Sequence, residues 1–174
     1  MSLIRKKALQ FASKFHSNQL RKYSQDPYIN HPKGVVKILD EFNVEFELIV
    51  TAYLHDVLED TNATYGEIEE IFGTRIAKLV QELTSDRLLQ DKMGKVKYLT
   101  EKMNTMSSEA LTVKLADRLD NVSGLGKCEL EFRERYMKET MEILSGIKRI
   151  MTPIQMILYA RIKEKSSEYS LDLC

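Results

Sequence analysis

Apolar side chains recur at intervals of three and four along most of the chain, which is the spacing of amphipathic helices. The first such segment covers residues 3–18, and a polar, basic loop follows over residues 19–30. Pro32 suits the first turn of the next helix, which we expect to end near Asn43. No segment sustains the alternation of apolar and polar residues that strands require. The pattern therefore predicts an all-α protein.

The segment over residues 45–58 is apolar on most of its faces, which is typical of a helix buried in the middle of a domain. Thr64 and Glu67 have the spacing of a capping box, and Gly73 separates one short helix from the next. Residues 85–95 lack an apolar stripe, so we predict that they form the most mobile segment of the chain.

The remaining sequence predicts further helices and no second domain. There is no internal repeat and no low-complexity linker, so we expect residues 1–174 to form one domain, a helical bundle. The helices are predicted from Val96, from Ser107 or Ser108 to Asn121, over residues 129–150, and over residues 153–168.

Composition restricts the class of protein. The 174 residues include 26 Lys and Arg and 26 Asp and Glu, which cancel to a formal charge of zero and argue against a general nucleic-acid or membrane-surface binder. Two cysteines, Cys128 and Cys174, are too few for a disulfide framework or a four-cysteine metal site. Residues 1–15 lack the apolar stretch of a signal peptide or membrane span. We therefore expect a cytoplasmic protein.

Four ionisable side chains follow one another within the most apolar segment, in the run His55-Asp56-Val57-Leu58-Glu59-Asp60. On a continuous helix, at about 100° per residue, they would fall within an arc of about 140° and face one cavity. Three carboxylates on one face repel one another, and a cation would relieve that repulsion. The end of a helix emerging into solvent, with Glu59 and Asp60 hydrated or capping, explains the same run equally well.

A second polar cluster lies in the run Lys114-Leu115-Ala116-Asp117-Arg118-Leu119-Asp120-Asn121. Lys114, Asp117, Arg118 and Asn121 form a polar stripe beside a stripe of leucines, and an ordinary amphipathic helix explains this pattern equally well. His31 stands at the beginning of a helix, where a lone histidine is more often a cap than a ligand.

Taken together, these clusters contain a donor set for a divalent metal. The set comprises His31, His55, Asp56 and Asp117. Two imidazoles and two carboxylates suit Mn²⁺, Fe²⁺ or Zn²⁺. We therefore expect a metal centre assembled from distant parts of the chain.

The same residues resemble the HD-domain phosphohydrolases, a family named for an adjacent His-Asp pair. The resemblance narrows to the hydrolase domain of the RelA/SpoT group, and it covers residues 3–125, while the C-terminal helices over 129–168 match only loosely. The chain is too short for the synthetase and regulatory domains of the large members, so it most resembles the small, stand-alone alarmone hydrolases. The resemblance is carried by Gln19, Arg21, Lys22, Pro27, Tyr28, His31 and Pro32, by HDVLEDT over 55–61, by FG over 72–73 and by KLADRLDN over 114–121.

The resemblance implies a reaction and a role for each group of residues. The reaction is Mn²⁺-dependent removal of the 3′-pyrophosphate from guanosine tetra- or pentaphosphate (ppGpp or pppGpp), the alarmones of the stringent response, to give GDP or GTP. By this resemblance Glu59 and Asp60 are the acid/base residues. The implied metal ligands are His31, His55, Asp56 and Asp117. The implied nucleotide contacts are Arg21, Lys22, Arg118 and Asn121, with Lys95 and Lys97 for the outer pyrophosphate.

Three departures from the family pattern, all on the substrate side, leave alternatives open. The loop over residues 21–27 differs in length from that of the large enzymes and lacks their glycine, Asp120 stands where His or Tyr is usual, and Gly124 removes a hydroxyl contact. Removal of the 2′-phosphate from NADPH, or hydrolysis of another nucleotide, is therefore an alternative. A nucleotide-sensing module that binds without hydrolysing is an alternative of another class. We expect a small-molecule nucleotide as the partner, with no nucleic acid or membrane; the sequence is compatible with a homo-oligomer but does not indicate one.

Overall fold

The computed structural model describes residues 2–22 and 25–171. These residues form eleven α-helices and one short 3-10 helix, and within these two ranges the only β-type pairing is an isolated bridge between Leu20 and Pro27. The all-α prediction is confirmed. None of the helices in this part of the chain combines the length and hydrophobicity needed to cross a membrane. Tyr23 and Ser24 of the predicted basic loop, and Cys174, lie outside the described residues.

The helices group into two compact units, of which the first comprises the described residues up to Ser85. Helix α3 packs against α1, α2 and α6 of this unit, and every residue of α3 from Leu48 to Leu54 is buried. The predicted buried helix is thus confirmed over this span. The helices of the first unit are α1 (Leu3–Phe15), α2 (Asn30–Asp40), α3 (Phe46–Leu54), α4 (Val57–Asp60), α5 (Tyr65–Phe72) and α6 (Thr74–Leu83).

The second unit begins at Asp86. Helix α9 packs against α10 and α11, and α8 packs against α7 and α10. The apolar stripe predicted on α9 is buried, including Leu111 and Leu115. The elements of this unit are α7 (Arg87–Met93), α8 (Lys95–Thr105), α9 (Ser108–Ser123), the 3-10 helix (Gly124–Lys127), α10 (Leu130–Ser145) and α11 (Pro153–Leu171).

The expectation that no helix forms over residues 85–95 before the one at Val96 is wrong, because α7 forms there, while the mobility of this segment stays a prediction. The Asp86 carboxylate accepts a hydrogen bond from the amide of Leu89 at 3.0 Å and caps the helix. None of the α7 residues is buried, and Leu88 is 85% exposed. A helix that begins at a cap and buries no face leaves no apolar stripe in the sequence, which is why periodicity missed it.

The predicted caps of the other helices are confirmed. The Thr64 hydroxyl accepts from the Glu67 amide, and the Glu67 carboxylate accepts from the Thr64 amide at 2.8 Å, which completes the capping box of α5. The hydrogen bonds that the Glu67 carboxylate accepts from the Thr64 amide and from the Thr64 hydroxyl lower the pKa of Glu67 below its ordinary value. Gly73 has φ +88°, a left-handed conformation that glycine adopts without strain. The Ser107 hydroxyl caps α9 by accepting from the Ala110 amide.

Glycine is also required where α10 ends, for a steric reason. A Cβ on Gly146 would lie 2.4 Å from Cγ2 of Thr100 on α8. Its φ of −85° is open to any residue, so the contact and not the backbone excludes a side chain. Asn104 holds the same place by donating to the Gly146 carbonyl at 2.9 Å and accepting from the Lys148 amide at 2.8 Å. The packing of α8 against the end of α10 therefore requires a residue without a side chain at position 146.

We predict that Gly146→Ala lowers the free energy of unfolding by about 2 kcal/mol, because the new methyl group overpacks the contact with Thr100. Chemical denaturation followed by circular dichroism measures the loss. Thr100→Ser removes the colliding Cγ2 atom, so the double variant is expected to recover most of it. A loss of the same size with and without the threonine methyl would contradict the steric explanation.

Candidate metal centre

The predicted continuous helix over residues 45–58 is wrong at His55, and this interruption shapes the site. In an α-helix the Ala52 carbonyl would accept the amide of Asp56, four residues later. Here the His55 side chain contacts that carbonyl, with Nδ1 to oxygen at 2.8 Å. Helix α3 ends at Leu54, Asp56 has φ −102° and ψ −5°, and α4 begins at Val57. The apolar pattern runs across this break, so it gave no signal of it.

His31 is brought to the same place by the turn that opens α2. Its amide donates to the Tyr28 carbonyl at 2.9 Å, and its side chain is 2% exposed. The His31 and His55 rings meet edge to face, with centroids 5.1 Å apart. The structure thus joins two histidines that are 24 positions apart in the sequence.

Both imidazoles approach one carboxylate oxygen. Asp56 Oδ2 lies 3.0 Å from His55 Nε2 and 3.6 Å from His31 Nε2. A carbonyl can only accept, so the contact with Ala52 requires the proton of His55 on Nδ1. In neutral His55 the lone pair is therefore on Nε2, the atom that faces Asp56. His55 is 1% exposed, so this arrangement is shielded from bulk water.

These three side chains fit a divalent transition metal. Metal–nitrogen and metal–oxygen bonds of about 2.0–2.2 Å place neighbouring ligand atoms about 3–3.5 Å apart. The distances around Asp56 Oδ2 are 3.0 and 3.6 Å. Imidazole with carboxylate is the donor mixture that Mn²⁺, Fe²⁺ and Zn²⁺ accept. A carbonyl that fixes the ring tautomer, as Ala52 does for His55, is a usual support for a histidine ligand.

Tyr28 is a further member of the cluster, and sequence reasoning gave it no role. Its hydroxyl donates to Asp56 Oδ2 at 2.5 Å and lies 3.4 Å from Asp60 Oδ2. Tyr28 stands three residues before His31, in the turn that leads into α2, and both side chains lie close to Asp56. That spacing was the available signal.

The two predicted acid/base residues are held differently. Asp60 lies within reach of the Tyr28 hydroxyl, and its carbonyl accepts from Gln19 Nε2 at 2.7 Å. The Glu59 carboxylate accepts from the Ser85 amide at 2.7 Å, at the end of α6. Asp60 is therefore connected to the metal cluster through the Tyr28 hydroxyl, whereas the Glu59 carboxylate is held by the backbone of Ser85, beyond the end of α6.

In the second unit, Asp117 is buried on α9 and has a donor on each carboxylate oxygen. Lys114 Nζ lies 2.9 Å from Oδ2, and Asn121 Nδ2 donates to Oδ1 at 2.6 Å. These are the neighbours one turn away on the predicted polar stripe. Asn121, expected to contact nucleotide, here orients Asp117.

Arg118 is 5% exposed and packed within the second unit. Its guanidinium donates to the Thr140 hydroxyl at 3.3 Å and lies over the Tyr136 ring at 5.3 Å. Burial raises the pKa of Tyr136 above its ordinary value of 10.0, and the positive charge of Arg118 opposes that rise. The structure therefore places Arg118 in the packing of α9 against α10.

The other predicted nucleotide contacts lie in polar surroundings. Lys95 pairs with Glu139 at 2.6 Å and Lys97 is exposed. Arg21 and Lys22 extend from a loop that the Leu20–Pro27 bridge closes. The backbone of Arg21 accounts for part of this closure, since its amide donates to the Asp26 carbonyl at 2.8 Å.

The fold and the cluster define a class of protein. The family model described as HD domain matches residues 8–148, and the chain belongs to this family. Within it, the chain is 39% identical over 146 residues to the guanosine-3′,5′-bis(diphosphate) 3′-pyrophosphohydrolase MESH1 of Danio rerio, covering 79% of this chain and 81% of MESH1. The similarity to MESH1 therefore extends over most of both chains.

Bacterial relatives are longer. The chain is 43% identical over 150 residues to the guanosine-3′,5′-bis(diphosphate) 3′-pyrophosphohydrolase of Aquifex aeolicus, covering 81% of this chain and 20% of that protein. It is 35% identical over 151 residues to the bifunctional (p)ppGpp synthase/hydrolase SpoT of Escherichia coli, covering 80% of this chain and 21% of SpoT. The chain thus spans about a fifth of the length of these relatives.

Solved structures share the fold. A metazoan ortholog of SpoT, described as hydrolyzing ppGpp and acting in starvation responses, superposes with a TM-score of 0.81 at 28% identity, covering 95% of this chain and 97% of the other. A Listeria monocytogenes structure superposes with a TM-score of 0.68 at 22% identity, covering 82% of this chain and 97% of the other, and so supports the fold alone.

We predict that Arg118→Lys lowers the free energy of unfolding by about 2 kcal/mol, because lysine cannot reproduce the planar contact with Thr140 and Tyr136. Thermal unfolding with and without nucleotide measures this. Lys97→Ala, at an exposed position, is the control and is expected to change stability by less than about 0.5 kcal/mol. Unchanged stability with a raised KM for nucleotide would instead favour the substrate contact predicted from the sequence.

Proposed function

We propose that this protein hydrolyses guanosine 3′,5′-bis(diphosphate) at the 3′ position and releases pyrophosphate, with GDP as the other product, or GTP from the pentaphosphate. The observation that supports this most directly is the His31, His55 and Asp56 donor cluster in a chain that covers 81% of MESH1 at 39% identity. The reaction itself carries over from what MESH1 is named for. The chain's near-neutral composition and small number of cysteines support a cytoplasmic setting for it.

We propose that His31, His55, Asp56 and Asp117 hold Mn²⁺, which when bound would lower the pKa of a water molecule and polarise a phosphate oxygen. The donor chemistry of the first three side chains supports this assignment. Asp117 carries Lys114 and Asn121 on its two oxygens, and these contacts fix its rotamer on α9. The same donor types accept Fe²⁺ and Zn²⁺, so the native metal is a matter for reconstitution.

We propose that Asp60 accepts a proton from the attacking water and that Glu59 assists it. The basis for this order is the position of Asp60 beside the Tyr28 hydroxyl and the use of Glu59 to accept the Ser85 amide. Arg21 and Lys22 extend from the closed loop and supply positive charge suited to nucleotide phosphates.

Metal removal tests the main proposal. Protein stripped with a chelator is expected to release no pyrophosphate from ppGpp, and added Mn²⁺ is expected to restore release with GDP in equal amount. Liquid chromatography of the nucleotides and a coupled pyrophosphate assay measure both products, with Fe²⁺ and Zn²⁺ as parallel reconstitutions. Phosphate released from NADPH without turnover of ppGpp would overturn the substrate, and nucleotide binding without turnover of either would indicate the sensing module.

The acid/base assignment makes a separate prediction. Asp60→Asn is expected to lower kcat by about 10²-fold or more while Mn²⁺ affinity is retained, because the amide cannot accept the proton. Glu59→Gln keeps an oxygen for the Ser85 amide, so its expected loss of kcat is smaller than that of Asp60→Asn.

Glu70→Gln, an exposed acid of α5, is the matched control and is expected to leave kcat unchanged. Equal turnover by Asp60→Asn and the control would remove Asp60 from the mechanism. A larger loss from Glu59→Gln than from Asp60→Asn would reverse the proposed order of the two carboxylates.

A further inference from the structure

Two side chains at the base of the basic loop (residues 19–30), Gln19 and Tyr28, connect the loop to the segment that carries Asp56 and Asp60. The Tyr28 amide donates to the Gln19 carbonyl at 2.9 Å, and the Leu20–Pro27 bridge follows directly. Each side chain then leaves the loop and contacts the short segment that begins with Asp56. The two ends of the loop are thus attached both to each other and to the site.

Tyr28 acts on Asp56 rather than equally on both nearby carboxylates. Its hydroxyl has one proton and lies 2.5 Å from Asp56 Oδ2 but 3.4 Å from Asp60 Oδ2. The shorter contact takes the proton, because it lies within the usual O–H···O range of about 2.5–3.0 Å and the longer contact lies outside it. The bond orients the oxygen that both imidazoles face.

The ring of Tyr28 is itself held in place. It lies 4.7 Å from the His16 ring at 34° and 5.9 Å from the His31 ring at 73°, as measured between centroids. Aromatic contacts of this kind fix both the position and the tilt of the ring. The hydroxyl can therefore be removed without removing the contacts that place the ring.

Gln19 makes the second attachment, and its orientation is determined by its partners. The Asp60 carbonyl can only accept, so the amide nitrogen of Gln19 faces it at 2.7 Å. Its oxygen then faces His16 Nδ1 at 2.7 Å, which assigns the His16 proton to that nitrogen. His16 is 2% exposed, so this chain of hydrogen bonds is anchored in the interior of the first unit.

We propose that Tyr28 and Gln19 are positioning residues with separate tasks: Tyr28 sets the metal ligand Asp56, and Gln19 fixes the loop of Arg21 and Lys22 to the turn of Asp60. This inference rests on the proposed function. Outer partners of a metal ligand typically contribute about 10- to 100-fold to metal affinity. One hydrogen bond between uncharged groups contributes about 3- to 10-fold to binding.

The Tyr28 task is tested on the metal-free protein, without substrate. Tyr28→Phe keeps the ring contacts and removes the hydroxyl, and we expect Mn²⁺ affinity, measured by electron paramagnetic resonance of free Mn²⁺, to fall about 10- to 100-fold. Tyr65→Phe is the matched control, because its hydroxyl also faces a carboxylate, Glu69 at 3.4 Å, and its affinity is expected to equal that of the wild type. The unfolding temperature of the metal-free variants is expected to stay close to that of the wild type.

The Gln19 task predicts the opposite pattern. Gln19→Met keeps the length of the side chain and removes both hydrogen bonds, so we expect KM for ppGpp to rise about 3- to 10-fold with Mn²⁺ affinity unchanged. Saturating Mn²⁺ is expected to restore kcat of Tyr28→Phe and to leave the raised KM of Gln19→Met as it is.

The outcomes separate this inference from the proposed function. Wild-type protein that binds no Mn²⁺ and turns over no ppGpp would defeat the proposed function, and this inference with it. Wild-type turnover together with wild-type Mn²⁺ affinity in Tyr28→Phe would overturn the inference alone. So would weaker Mn²⁺ binding matched by an equal loss of metal-free stability, since that would make Tyr28 merely structural.

Discussion

The hydrogen bond from His55 Nδ1 to the Ala52 carbonyl is the contact on which the rest of the site depends. Its acceptor is the carbonyl that the Asp56 amide would use in a continuous helix, and α3 ends at Leu54, directly before His55. The same bond assigns the proton of His55 and leaves Nε2 as the atom that faces Asp56. One side-chain contact therefore coincides with the end of α3, assigns the tautomer of a proposed metal ligand and lies directly before the second proposed ligand, Asp56.

Burial raises the free-energy cost of keeping a carboxylate ionised in this site. An ionised carboxylate among buried side chains needs donors or a cation, and Asp56 has Tyr28 as a donor and two imidazole nitrogens close by. Asp117 shows the same requirement in the second unit, where Lys114 and Asn121 occupy its two oxygens. In both cases the donors to the acid lie three or four positions from a residue whose type already suggested a metal ligand. Tyr28 lies three positions before His31, and Lys114 and Asn121 lie three positions before and four positions after Asp117.

This regularity explains how much could be predicted from the sequence. Residue types identify the histidines and acids, and apolar spacing locates the helices that carry them. Neither reports which side chain takes a given backbone acceptor. The end of α3 at Leu54 was missed because the apolar pattern continues to Leu58. The helix α7 was missed because none of its residues is buried, so it has no apolar stripe, and its start is stabilised by the Asp86 cap instead.

Arg118 shows what the fold adds to a residue type. The resemblance implied a nucleotide contact for Arg118, which stays a prediction, and the structure packs its guanidinium against Thr140 and Tyr136. Arginine has an apolar stem and a planar head that stacks on aromatic rings, so burial beside tyrosine suits it. Charge in the sequence thus indicates that a partner exists, and only the fold identifies the partner.

The charges of the first unit determine what the proposed reaction needs from the loop. Asp56, Glu59 and Asp60 place three acids within five positions of the chain, and phosphate groups approaching them would be repelled. A bound divalent cation offsets part of that repulsion, and Arg21 and Lys22 add positive charge only if their loop stays close to the acids. Lysine and arginine on a free loop would be screened by salt and would lose conformational freedom on binding. Under the proposed function, attachment of the loop base through Gln19 to the Asp60 carbonyl would meet part of that cost during folding, so that an incoming nucleotide would encounter positive charge already held near the acids.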